Sequence, residues 1–219
     1  MNRQDKDRQA KAEILRRVRV ALNDNPIEEI DVPRDYIREG KDAPGSDPVI
    51  DVFVDALEDY KAHVVVVEAD EIPASVAAAL SACSSVVIPH GLNRAWLSEI
   101  DGVDIRVDEP DALLSNHDLD ATDAVITASR CAVSHTGMIV LDGEPDQGRR
   151  AISLVPDTHV CIVEAKTVFP TVPQAVSLLA ENPTRPMTWI AGPSATSDIE
   201  LIRVDGVHGP RNLHVIVVR

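Results

Sequence analysis

Between residues 64 and 107 the chain repeats one arrangement: short β-branched runs, VVVV (64–67), VVI (86–88) and IRV (105–107), separated by segments of different character. Each run is too short for a helix and is composed of residues that suit a pleated, buried surface. Between them, the Ala-rich stretch from Pro73 to Cys83 suits a helix, and Asn93 to Ile100 reads as a short one. Upstream, Val49, Val52, Phe53, Ala56, Leu57 and Tyr60 fall at helical spacing. Strands alternating with helices require right-handed crossovers and a mainly parallel sheet covered on both faces, with Val64–Val67 as a buried strand. The expected class is therefore α/β with a Rossmann-like sheet. The first strand-to-helix connection, Glu68-Ala69-Asp70-Glu71-Ile72-Pro73, holds no glycine and three acids. It lacks the Gly-rich phosphate cradle of a dinucleotide site, which argues against a nicotinamide dehydrogenase.

The second half changes character. Ala124–Ala128, Cys131–Ser134 and Met138–Leu141 read as closely spaced strands, with His135-Thr136-Gly137 at a turn or bulge. Thr158–Val163, Met187–Ala191 and Leu213–Val218 read as further strands, and Val172–Glu181 as a helix. Together these predict one Rossmann-like mixed sheet with helices on both faces. At the other end, Ala10, Ile14, Leu15, Val18, Ala21 and Leu22 mark a helix that Asn23-Asp24-Asn25-Pro26 ends. Residues 23–48 are rich in Pro, Asp and Gly and read as an irregular, exposed segment. The expected organisation is an N-terminal helix and irregular segment over 1–48, then an α/β domain over 49–219.

Composition narrows the function. With 219 residues, 44% of them hydrophobic, the chain can bury a full core. No apolar run approaches the roughly 18 residues that cross a membrane, and the first residues lack the apolar region of a secretory signal, so a cytoplasmic protein is expected. Residues 1–19 carry seven Lys/Arg against three acids, a balance of +4, which leaves −19 for the remainder of a net −15. That acidic body argues against nucleic acid as the main partner. Cys83, Cys131 and Cys161 lie far apart in apolar surroundings and read as buried thiols. Without a CxxC-type spacing, neither disulfide, metal site nor iron-sulfur cluster is expected, and no cofactor is implied.

Candidate site residues gather near the C-terminus, in GPSATSDIE (192–200) and GVHGPR (206–211). Ser197-Asp198-Ile199-Glu200 reads as a capping box opening a short helix, whose free N–H groups near Ser194, Thr196 and Ser197 would receive an anion. His208 and Arg211 combine a titratable ring with a bidentate cation, a pair suited to anion recognition, with Asp198 orienting one of them. Both loops are expected at the carboxyl-terminal edge of the sheet, where open α/β folds place ligands. The structural alternative pairs Arg211 with Asp198 or Asp205. Arg149, after Gly148, is a further cation candidate, with an ion pair to Asp146 or Glu144 as its simpler role. His135 and Thr136 are candidates by position beside Gly137, and His159 reads as a satisfied core or edge residue.

SHTGMIVL (134–141), GRRAISLVPDTHV (148–160), GPSATSDIE and GVHGPR, in this order, resemble the lactate-utilisation protein C family, the LUD domain, over about residues 50–219. The resemblance implies a fold similar to the sugar-isomerase and CoA-transferase-like superfamily. It also implies a role in oxidising L-lactate to pyruvate beside iron-sulfur partner proteins. This chain departs from the family pattern at His135, where the family has Glu, at Met138, where it has Thr, and at Ala195, where it has Arg. Those departures remove an acid suited to act as a carboxylate nucleophile and a cation suited to hold an anion. An accessory or regulatory subunit that binds a small anionic metabolite is the expected function. The alternatives are an enzyme of the wider superfamily acting on a CoA ester, a sugar phosphate or a folate with ATP, and an interaction module without a working pocket.

Overall fold

The computed structural model describes residues 3–24, 31–196 and 204–219. The chain divides into two compact units, Met1–Tyr36 and Ile37–Arg219. Among its described residues the first holds one helix, α1 (Arg3–Asp24). Its apolar stripe, Ile14, Leu15, Val18 and Leu22, is exposed. Residues 31–46 form neither helix nor strand and are largely exposed.

In the second unit the elements run α2 (Asp47–Asp59), β1 (His63–Val67), α3 (Ile72–Ala79), β2 (Ser85–Pro89), β3 (Asp104–Asp108), α4 (Asn116–Asp120), β4 (Ala124–Thr127), β5 (Cys131–Val133) and β6 (Met138–Leu141). They continue as α5 (Arg150–Leu154), β7 (Thr158–Glu164), β8 (Val168–Phe169), α6 (Val172–Leu179), β9 (Thr188–Ala191), β10 (Ala195–Thr196), β11 (Val204–Asp205) and β12 (Asn212–Val218).

Six strands form a wholly parallel sheet in the order β1-β12-β7-β4-β2-β3. The mixed part of the expected sheet is a separate sheet of four strands, β8-β5-β6-β9. The α/β class and the parallel sheet are as expected. The division into two sheets was not, because hairpin strands and crossover strands look alike as short apolar runs.

Strand periodicity sorts the core into layers. Val86, Ile88, Ala124, Ile126, Val160, Ile162 and Ile216 point to one face of the parallel sheet and pack on Ile72, Val76 and Leu80 of α3. Cys161, Val163, Leu213, Val215 and Val217 point to the other and meet α2 together with Ala132, Ile139 and Leu141 of the second sheet. On that same side, Val87 and Val125 pack on Leu119 of α4 and Ile152 of α5. The outer face of the second sheet, Cys131, Val133 and Val140, is closed by Ala175 and Leu179 of α6.

β1 corrects an expectation. It pairs only with β12, so it is an edge strand, with Val65 47% and Val66 40% exposed rather than buried. β-Branched composition reports strand propensity, and it does not distinguish an edge from a centre. The segment from Asn93 to Ile100 forms only a 3-10 turn, Arg94–Leu97.

Candidate functional site

From β2 the chain moves outward to β3, whereas from β4 it moves the opposite way to β7 and β12. The crevice at the carboxyl ends of β2 and β4 is therefore the topological switch point, the usual ligand position in such sheets. Here the loop GEPDQG (143–148) covers it. Gly91 N donates to Pro145 O at 2.9 Å and Ala128 N to Asp146 O at 3.0 Å. A cavity of about 880 Å3 opens beside this loop, between the end of β3, the start of α5 and the chain leading into β9.

Its polar lining is unusually charged. Asp108, the last residue of β3, receives a bidentate pair from Arg149, Nε to Oδ2 at 2.8 Å and Nη2 to Oδ1 at 2.9 Å. Arg149 Nη2 also donates to Leu114 O at 2.6 Å, and Leu114 N donates to Asp108 Oδ1 at 3.0 Å, so the pair pins the loop after β3. The bond to Asp108 holds the Arg149 pKa above its ordinary value. This differs from the expected partner, Asp146 or Glu144, because Arg149 directly precedes α5 and so reaches the end of β3.

Asp142, just after β6, is 3% exposed and lines the same cavity. Its amide donates to Gln147 Oε1 at 2.7 Å, and Oδ2 meets Arg185 Nη1 at 3.3 Å and Arg130 Nε at 3.8 Å. Arg185 also pairs with Glu144, the contact that contributes most to raising the Arg185 pKa. Asp142 Oδ1 and Asp146 Oδ1 are sealed without a hydrogen-bond partner, and burial is the main cause that raises the Asp146 pKa. Arg150 and His90 line this cavity too, and neither side chain has a hydrogen bond or ion pair with a described residue. Sequence reasoning missed Asp108, Asp142, Arg185, Arg150 and His90 as one constellation. The available signal was the Gly143 to Gly148 loop with two acids inside it.

The C-terminal motifs lie elsewhere. β12 runs parallel to β7 with Asn212 opposite Thr158, so the GVHGPR loop before β12 sits at the amino-terminal edge of the parallel sheet. The expected carboxyl-terminal placement is corrected, since a loop that enters a parallel strand must lie at its amino end. Ser194 is held to this loop by three bonds. Its N donates to Pro210 O at 2.8 Å, its O accepts from Gly206 N at 2.8 Å, and its Oγ accepts from His208 N at 3.0 Å. Ser194 and His208 line one cavity of about 420 Å3 with Trp189 and His159; Arg211 does not line it, but shares a neighbouring cavity of about 710 Å3 with His208 and Arg150. Arg211 pairs with Asp157 at 2.8 Å, an exposed contact, whereas the expected Asp198 lies outside the described residues. Gly206, at φ 76°, lies so close to the Arg211 side chain that a Cβ there would meet Nε at 2.5 Å.

Ala195 and Thr196 pair with Val204 and Asp205 as a two-stranded ribbon, so no helix starts at Ser194–Thr196. Ser197 and Asp198, with the capping box they open, lie outside the described residues. His135 and Thr136 occupy a 3-10 turn, Ser134–Thr136, between β5 and β6 and line neither cavity. The two cavities themselves abut, because Ser153 of α5 and Thr188 of β9 line both.

A parallel α/β sheet, a second sheet packed on one face and an arginine-lined cavity at the carboxyl edge define an α/β protein with a candidate site at its topological switch point. The family model of the LUD domain matches residues 50–218, and the chain belongs to that family. It is similar to the protein called Lactate utilization protein C of Deinococcus radiodurans, 46% identical over 172 residues, 78% of this chain and 79% of that one. The protein of the same name from Bacillus licheniformis is 30% identical over 190 residues, 77% of this chain and 79% of its own length. A crystal structure of a DUF162 family protein from Deinococcus radiodurans superposes with a TM-score of 0.67 at 39% identity, covering 78% of this chain and 97% of that one.

Proposed function

We propose that this chain takes part in lactate utilisation as an accessory or regulatory subunit, working beside iron-sulfur proteins and holding a small anionic metabolite in the arginine-lined cavity. The names carried by its relatives support the pathway. One observation carries the site: at a cavity whose other charges are internally paired, the side chains of Arg150 and His90 have no partner among the described residues. A guanidinium left open at a cavity wall is suited to a carboxylate or phosphate through charge-assisted hydrogen bonds. Arg149 and Arg185 are held by Asp108, Asp142 and Glu144, so their part is to shape the wall.

Calorimetric titration with L-lactate, pyruvate and phosphorylated metabolites tests this reading. Losing a charge-assisted hydrogen bond costs about 1.5–3 kcal/mol, so Arg150→Gln should weaken the bound anion by roughly ten- to a hundredfold. Arg211→Ala, at the exposed pair with Asp157, should leave affinity unchanged within about a factor of two. In cells, a deletion strain should regain growth on lactate with the parent chain and lose that benefit with Arg150→Gln. Equal anion affinity in parent and Arg150→Gln would overturn the site, and normal lactate growth of the deletion strain would overturn the pathway.

A further inference from the structure

The two edges of the six-stranded sheet are built differently. β3, at one edge, alternates Asp104, Arg106 and Asp108 with apolar residues. Charges of that kind keep an edge strand from pairing with another chain. β1, at the other edge, reads HVVVV, with no acid, lysine, arginine or proline, and it pairs residue for residue with β12. Val67 O accepts from Arg219 N at 3.0 Å, so the Val67 backbone faces β12, and by the alternation of a strand so do those of Val65 and His63. The N–H and C=O groups of Val64 and Val66 therefore face away from the sheet, where no described residue bonds to them.

Side chains alternate as well. Val64 packs on the α2 side of the sheet and Val67 on the α3 side, which sends Val66 to the first and Val65 to the second. We propose that β1 pairs antiparallel with β1 of a second copy of this chain, across a two-fold axis at Val65, joining two six-stranded sheets into one of twelve. The open backbone groups set the register. An antiparallel hydrogen-bonded pair exchanges both of its bonds, so Val64 lies opposite Val66 of the partner subunit and Val65 opposite Val65 of the partner subunit. Exchanging the copies leaves this register unchanged, as closed two-fold symmetry requires. It covers the exposed valine on each face, since Val65 meets its counterpart and Val66 meets Val64. Charge selects the direction. Antiparallel pairing sets the start of each strand beside the end of the other, bringing exposed Lys61 alongside the exposed acidic turn Glu68-Ala69-Asp70-Glu71. None of these four charged side chains has an ion pair among the described residues. Parallel pairing in register would instead set like charges side by side.

Sedimentation velocity of the full chain over a concentration series reads the assembly, and oxidation by glutathione disulfide of chains carrying a new cysteine reads the register. The parent should sediment as a dimer of the 23.7 kDa chain. Val65→Lys places two cations on the axis, and Val66→Pro removes only an outward N–H. Each should be monomeric at concentrations where the parent is dimeric, with circular dichroism unchanged. Lys61→Glu should raise the dimer dissociation constant about three- to tenfold, because its contact occurs twice. Opposed Cα atoms of a non-hydrogen-bonded antiparallel pair lie about 4.5 Å apart, within disulfide reach. Val65→Cys should therefore cross-link to its own copy. Val66→Cys, set two positions out of line with its copy, should not, and neither should the parent, whose cysteines are buried or half-buried. If Val65→Lys or Val66→Pro fails to fold, the two cysteine variants still decide. A parent that is monomeric at every concentration, a dimer that survives both Val65→Lys and Val66→Pro, or equal cross-linking of the two cysteine variants would each overturn the proposal.

Discussion

Keeping His159 neutral inside the parallel sheet should make the protein acid-sensitive over a defined pH window. The ring has a pKa of about 4 when folded, lowered by burial, against 6.5 for an unperturbed histidine. Well above pH 6.5 it is neutral in both states and imposes no penalty. As pH falls from 6.5 towards 4, the unfolded chain takes up a proton that the native state refuses, so stability falls with pH. Below about 4 the native ring also protonates and the loss levels off. The full difference corresponds to about 3 kcal/mol, of which about 2.5 kcal/mol is already lost at pH 4.5 and about 0.2 kcal/mol at pH 7. Burial and the neighbouring His63 lower the His214 pKa in the same direction, and Asp118 and Asp123, held low by hydrogen bonds, add acid sensitivity of their own. Those contributions are common to a His159→Phe variant and cancel in the comparison. Urea unfolding of both proteins at pH 7 and pH 4.5, analysed by linear extrapolation, reads the difference. The stability gap between parent and His159→Phe should move in favour of the variant by about 2 kcal/mol at the lower pH. A gap that stays constant would show that His159 titrates normally, and the account of its burial would be wrong.

Two further perturbations test the larger cavity. Arg149→Met leaves Asp108, whose side chain is 3% exposed, without its counter-charge, while Arg149 itself is 31% exposed. Removing one partner of a buried pair costs about 3–5 kcal/mol, and water reaching this half-open pair lowers that to roughly 2–4 kcal/mol. Urea unfolding should show the Asp108→Asn, Arg149→Met double variant to be more stable than Arg149→Met alone, and a double variant that is no better would refute a charge-based penalty. Gly148 sits at φ 69° where a Cβ would meet Ile152 Cδ1 at 2.6 Å and Pro89 Cβ at 3.0 Å. Gly148→Ala should therefore cost about 1–3 kcal/mol and lower the melting temperature by several degrees, and an unchanged melt would mean that the loop over the switch point is not tightly seated.

The parallel core was legible where burial is complete. β2 and β4 are buried along their whole length, and β7 up to its last residue, so their sequences reduce to short apolar runs that only a sheet interior accepts. β1 has the same composition at an edge, where composition is silent. α4 and α5, at five residues each, are too short to display a helical period. The separation into two sheets depends on which strands pair, and pairing is a property of connections and register that single-strand patterns do not contain.

The site divides along the same line. A residue can be recognised as a candidate by its type and its neighbours, as Arg149 was after Gly148, but its partner Asp108 is 41 positions away and belongs to another strand end. The same distance separates Arg185 from Glu144, and 43 positions separate it from Asp142. The GVHGPR loop is different, because its placement was derivable. A segment that leads into the last strand of a parallel sheet must lie at that sheet's amino edge, whatever ligand chemistry its residues suggest. That placement sets Ser194 and His208 on the rim of the smaller cavity, while His208 also shares a neighbouring cavity of about 710 Å3 with Arg150 and Arg211. Loop residues read as an anion site from their types are thereby joined to a pocket walled by Leu154, Trp189, Ile190 and Leu213, beside the buried ring of His159, which burial keeps neutral.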